Sequence, residues 1–173
     1  VPLESMEEQW DLVGLENVLA SDWGLTVDLK NWVENAESMD DEQIVDHVLE
    51  AAKETYDAKV ELSGRISFAG FERSVLLYSL DTHWREHLAA LDHLRQGIHL
   101  RGYAQKDPKQ EYRREAFELY GELLNVIKND VVKSIMTVQI RSASELDQAS
   151  ESLNEDLAKL KDLQYQHADA DME

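Results

Sequence analysis

A chain of 173 residues with a formal net charge of −19, 43% hydrophobic residues and no cysteine excludes several classes of function at once. Without cysteine there is no disulfide frame, no thiolate metal site and no thiol nucleophile, and the expected setting is cytoplasmic. An acidic surface repels phosphate backbones, so nucleic acid is not an expected partner, and no apolar run reaches the roughly 18 residues that span a bilayer.

The charge is unevenly spread. Residues 1–63 hold 17 acidic and 3 basic side chains, residues 64–140 hold 10 and 11, and residues 141–173 hold 9 and 3. The near-neutral middle is therefore a different kind of surface from its flanks. Two prolines and seven glycines in the whole chain favour long helices over strands.

The opening Val1-Pro2-Leu3-Glu4-Ser5 has neither the basic-then-apolar pattern of a signal peptide nor an initiator methionine, so an excised fragment is expected. Ser5-Met6-Glu7-Glu8 has the spacing of a capping box leading into Trp10. Asp11 is placed to cap a helix carrying Leu12, Leu15, Val18 and Leu19 that ends near Trp23-Gly24. Asp28 starts a third helix with Leu29, Trp32 and Val33. Asp40 to Gln43 is a second capping box, opening a longer helix striped by Ile44, Val48, Ala51, Ala52, Tyr56 and Val60. A small helical domain over residues 1–63 is the expectation.

From Phe68 onward the apolar residues fall on a seven-residue repeat. Leu77, Trp84, Leu91 and Ile98 hold one position and Leu80, His87 and Leu94 the other. Gly97 and Gly102 stop this helix. Asp107-Pro108-Lys109-Gln110 starts the next, with aspartate as N-cap and proline in the first turn. A second repeat follows, through Phe117, Leu124, Val131 and Val138 and through Tyr120, Ile127 and Ser134. Two such helices joined by a short loop are expected to pack as an antiparallel hairpin over residues 64–141. Residues 142–173 are acidic and of low complexity. Leu153, Leu157, Leu160 and Leu163 give one amphipathic stretch before an end expected to be largely disordered. The fold class expected is all-α.

Two constellations invite a chemical reading. His83-Trp84-Arg85-Glu86-His87 fits the H-x-x-E-H pattern of inverted zinc proteases, with both histidines on one helical face. Against a zinc-dependent hydrolase stand the core position of His87 and the need for a third ligand, so a packed histidine is the plainer reading. No nucleotide-binding or nucleophile-elbow motif is present. The second constellation is the hairpin tip, where Ile98, Leu100 and Tyr103 alternate with Arg95, Arg101, Lys106 and nearby Lys109, Arg113 and Arg114. Either it is a solvated turn, or its open apolar side chains beside positive charge contact another macromolecule.

The run from Leu80 to Asp92, continued from Leu94-Arg95-Gln96-Gly97-Ile98 through Tyr103 to Tyr112, closely resembles the SecA family of protein-export ATPases. Ser5 to Asp11 and Gly14-Leu15-Glu16 resemble it too, and the resemblance extends over residues 1–141, with the tail alike only in acidic character. It implies a helical wing domain over 1–63, a scaffold part with a two-helix finger over 64–141, and a C-terminal linker over 142–173. It further implies that the finger enters the SecY channel complex and that Tyr103 contacts the translocating preprotein, with Ile98, Leu100, Arg101 and Lys106 beside it. The finger would also restrain the ATPase of motor domains that these residues do not include. On that reading the fragment has no catalytic residue, cofactor or metal of its own, whereas the whole protein binds ATP and magnesium. It works in the bacterial cytoplasm, peripherally at the inner membrane. Self-association of bare surfaces, a homodimer among its forms, is the remaining alternative.

Overall fold

The computed structural model describes the backbone of residues 10–35, 40–98 and 107–170, and side chains within these ranges up to residue 159. Every regular element among the described residues is a helix: α1 (Leu12–Trp23), α2 (Leu29–Glu34), α3 (Asp41–Ser63), α4 (Arg65–Gly97), α5 (Pro108–Thr137) and α6 (Ala143–Ala170). The expected capping box at Ser5 lies outside the described residues.

The helix starts follow the sequence signals. Asp11 accepts from the Gly14 amide at 2.8 Å and Asp28 from the Asn31 amide at 3.2 Å. Asp40 and Gln43 close a reciprocal capping box, at 2.8 Å from the Gln43 amide to Asp40 and 3.3 Å from the Asp40 amide to Gln43. Each side chain satisfies an amide that the first helical turn leaves without an internal acceptor.

The chain divides into two compact units, Val1–Phe68 with Lys133–Leu146 and Ala69–Val132 with Asp147–Glu173. In the first, Leu25, Leu29, Ile44 and Phe68 are almost fully buried. Tyr56 meets Phe68 edge-on at 5.3 Å, and Trp32 stacks on His47 at 4.1 Å with rings nearly parallel. The Lys30 amide, at the start of α2, donates to Glu16 of α1 at 2.9 Å and ties the two helices together.

The second unit holds the antiparallel hairpin. His83 of α4 bonds to Asp130 of α5, His87 lies 6.2 Å from Tyr120, and Ile98 shares a crevice with Pro108 and Tyr112. As positions rise along α4 their partners fall along α5. The seven-residue repeat, however, marks the seam only in part: His87, Ile98 and Ile127 are buried on it, and other repeat positions are not. Trp84 is 43% exposed and Phe117 76%, with Leu77, Leu80, Tyr120 and Leu124 also exposed. The buried row on α4 runs through Phe71, Val75, Ser79 and His87, and on α5 through Leu123 and Ile127, joining the repeat only at His87 and Ile127. These residues sit four, or a multiple of four, apart. A straight helix rotates by roughly 20° per heptad against a strict seven-residue repeat, so over 30 residues the contact row leaves the heptad positions. Part of the exposed heptad face meets α6, where Leu157 joins Leu77, Leu80, Asp81 and Trp84 around a cavity of about 420 Å³. Leu157 is itself buried.

Candidate functional site

The end of the hairpin is assembled from the last turn of α4 and the first turn of α5. Asp107 caps α5, accepting from the Lys109 amide at 2.9 Å. Pro108 sits at the first helical position, where its missing N–H costs nothing. Ile98 follows α4 directly. Expected in the open, it is 6% exposed. Its side chain lines a crevice of about 500 Å³ with Arg95, Pro108, Lys109, Tyr112 and Arg113. A residue placed at a hairpin end by its sequence position is here buried, beside a crevice it shares with the proline and tyrosine of the facing helix. Leu100, Arg101, Tyr103 and Lys106 lie outside the described residues.

The positive charge at this end is partly spent internally. Arg95 pairs with Asp92 at 2.7 Å, and Arg114 with Glu111 at 2.9 Å and Glu118 at 3.5 Å, each within one helix. Lys109 and Arg113 remain exposed at the crevice rim. Ion pairs at three- and four-residue spacing were legible in the sequence, since acidic residues stand at both positions. The number of basic residues at the tip therefore overstates the charge presented to a partner.

Lower on the hairpin is the H-x-x-E-H segment. His83 uses both ring nitrogens, Nδ1 to Glu86 at 3.1 Å and Nε2 to Asp130 on the facing helix. The hydrogen bond with Asp130 is the main cause holding its pKa above the usual histidine value, with partial burial opposing and Glu86 assisting. His87 is buried, its ring 5.6 Å from Trp84 and 6.2 Å from Tyr120. A cleft of about 230 Å³ beside them is lined by His83, Glu86, His87, Ala90, Leu119, Glu122, Leu123 and Val126. A zinc ion would need a ring-nitrogen lone pair, whereas both His83 nitrogens face carboxylates, to which they bond by donating N–H, and it would need a third ligand as well. Among the described residues no group of three or more His, Asp or Glu side chains is gathered to hold a metal. The two histidines of the motif thus do separate structural work, one bridging the helices and one packing between aromatic rings.

A contact that no sequence motif announces lies at the other end of α5. Lys59 of α3 extends its ammonium to the carbonyls of Ile135, at 3.1 Å, and Met136. Burial pushes its pKa below the usual lysine value. Lys59, one of two lysines in an acidic helix, carries no local pattern that would announce such a role.

Among the described residues no helix is long and apolar enough to cross a membrane. The family described as the SecA wing and scaffold domain matches residues 1–139. The protein translocase subunit SecA of Polynucleobacter necessarius subsp. necessarius (strain STIR1) is 87% identical over all 173 residues, which make up 19% of that protein. The protein of the same name from Cupriavidus metallidurans is 64% identical over 167 residues, 96% of this chain and 18% of the relative. The chain therefore spans under a fifth of the length of these curated relatives. Their similarity runs on through the acidic tail, beyond the residues 1–141 that the sequence motifs mark out.

Proposed function

The chain belongs to the SecA family, and from that premise we propose that it is a non-catalytic part of a protein-export motor. The relatives it matches are named as protein translocase subunits. On this reading residues 1–63 form the wing and residues 64–141 the scaffold part with its two-helix finger, followed by a linker over 142–173. The finger inserts at the SecY channel complex and Tyr103 contacts the preprotein, with Leu100, Arg101 and Lys106 around it and Ile98 supporting the tip from within. The polypeptide outside these residues supplies the ATPase, with its ATP and magnesium, and the hairpin restrains and couples it. The complex works in the cytoplasm, peripherally at the inner membrane.

The observation that carries the reading is the antiparallel hairpin itself. Its helices are bridged by His83 and Asp130 and packed at His87 and Tyr120, and in sequence residues 99–106 connect them. Packed helices resist bending, so a pair joined along its length can carry a displacement to its tip. Tyrosine offers large apolar area plus one hydroxyl at low entropic cost, which suits contact with many unrelated polypeptides.

The test is an export assay with the intact family protein carrying Tyr103→Ala or Tyr103→Phe. The reading expects alanine to lower the preprotein exported per ATP hydrolysed and phenylalanine to preserve most of it. Export at the parental level with alanine would remove Tyr103 from the mechanism.

A further inference from the structure

The C-terminal end of a helix leaves its last four carbonyls without internal donors, and these must find partners elsewhere. In α5 the Ser134 carbonyl accepts from the Val138 amide at 3.1 Å. The next two, Ile135 and Met136, are both met by the Lys59 ammonium of α3. The last turn of α5 has no basic residue of its own to oppose the negative end of the helix dipole. The cation comes from a residue 76 positions earlier in the chain.

A second contact converges on the same carbonyl. Gly24 ends α1 in the left-handed conformation, with φ of +62°, and the Leu25 amide donates back to Leu19 at 3.0 Å. A Cβ on Gly24 would stand 3.2 Å from the Met136 carbonyl oxygen and 3.4 Å from the Thr137 Cα. Glycine is thus favoured for its backbone angle, and any Cβ there would also crowd the Met136 carbonyl. Lys133, one turn back, lies 3.9 Å from Asp22 near the end of α1.

We propose that Lys59 and Gly24 form an anchoring joint that fixes the C-terminal end of α5 onto α1 and α3. The end of the hairpin's return helix is then capped by the wing helices, not by residues of its own. Lys59 of α3 binds the Ile135 and Met136 carbonyls while Gly24 at the end of α1 packs close against Met136, so loosening either releases the other's purchase on α5. The joint stands on the geometry of the first unit alone and does not depend on what the hairpin tip touches.

Backbone amide exchange across the chain tests this, comparing the parent with Lys59→Met, Lys59→Arg and Gly24→Ala. With Lys59→Met, exchange at residues 134–138 should speed up by about tenfold or more, while residues 119–127 in the middle of α5 keep parental protection. Lys59→Arg, which can still donate to two carbonyls, should restore protection to within about threefold of the parent. Gly24→Ala should raise exchange in the last turns of both α1 and α5. Unchanged exchange at 134–138 in Lys59→Met, or an equal rise along the whole of α5, would overturn the proposal. Should Lys59→Met not fold, the same comparison with Lys59→Gln decides it, because glutamine removes the charge and shortens the reach while keeping a polar end.

Discussion

His83 and Asp130, 47 positions apart in sequence, join the two helices of the hairpin through the imidazole Nε2. The bond holds the His83 pKa above its ordinary value, with Asp130 the leading cause. A group whose folded pKa is raised contributes stability that is fully present below the unfolded value, near 6.5, and lost as pH rises through the folded value. The thermal midpoint of the parent should therefore exceed that of His83→Gln most clearly below about pH 6 and converge with it in the alkaline range. Asp130→Asn should flatten the difference. A gap between parent and His83→Gln that is constant with pH would show that the imidazole contributes only as packing.

His87 is expected to behave as a core residue. His87→Ala removes a buried ring from between Trp84 and Tyr120 and should cost roughly 1–3 kcal/mol in urea unfolding. Added zinc should change neither the parent's stability nor the variant's. Micromolar zinc binding that disappears in His87→Ala would restore the hydrolase reading.

The position of the hairpin seam is tested by two truncations on α5. Leu123 is 6% exposed and Phe117 is 76% exposed. Leu123→Ala should cost about 2–5 kcal/mol and Phe117→Ala within about 0.5, measured by chemical denaturation. The reverse order would return the seam to the heptad positions.

The caps are expected to act locally and modestly. Asp40→Ala opens both arms of the capping box on α3 and should cost about 1 kcal/mol. Asp107→Ala should cost a similar amount and raise amide exchange in the first turn of α5. Equal protection in that turn with and without Asp107 would deny it a capping role.

Much of the fold was legible because its signals are local. Asp11, Asp28, Asp40 and Asp107 announce helix starts by residue type and spacing alone, and Gly24 and Gly64 announce ends through a backbone that L side chains resist. The exposed heptads at Leu77, Trp84, Phe117 and Leu124 were misread because a regular apolar stripe reveals that a face is apolar, not which neighbour covers it. Part of that stripe faces α6 through Leu157. Ile98 is expected in the open because its sequence position is a hairpin end, whereas it is buried beside a crevice it shares with Pro108 and Tyr112. Lys59 was invisible for the opposite reason: its partners are backbone carbonyls on a distant helix, and carbonyls leave no mark in a sequence.

The central claim is that the hairpin presents its tip to a moving polypeptide. The most direct measurement places a photoreactive residue at position 103 of the intact family protein during stalled export. Cross-links to the stalled preprotein or to the channel are the predicted result. Labelling confined to the motor's own domains would contradict the claim and leave the hairpin as a scaffold that restrains the ATPase.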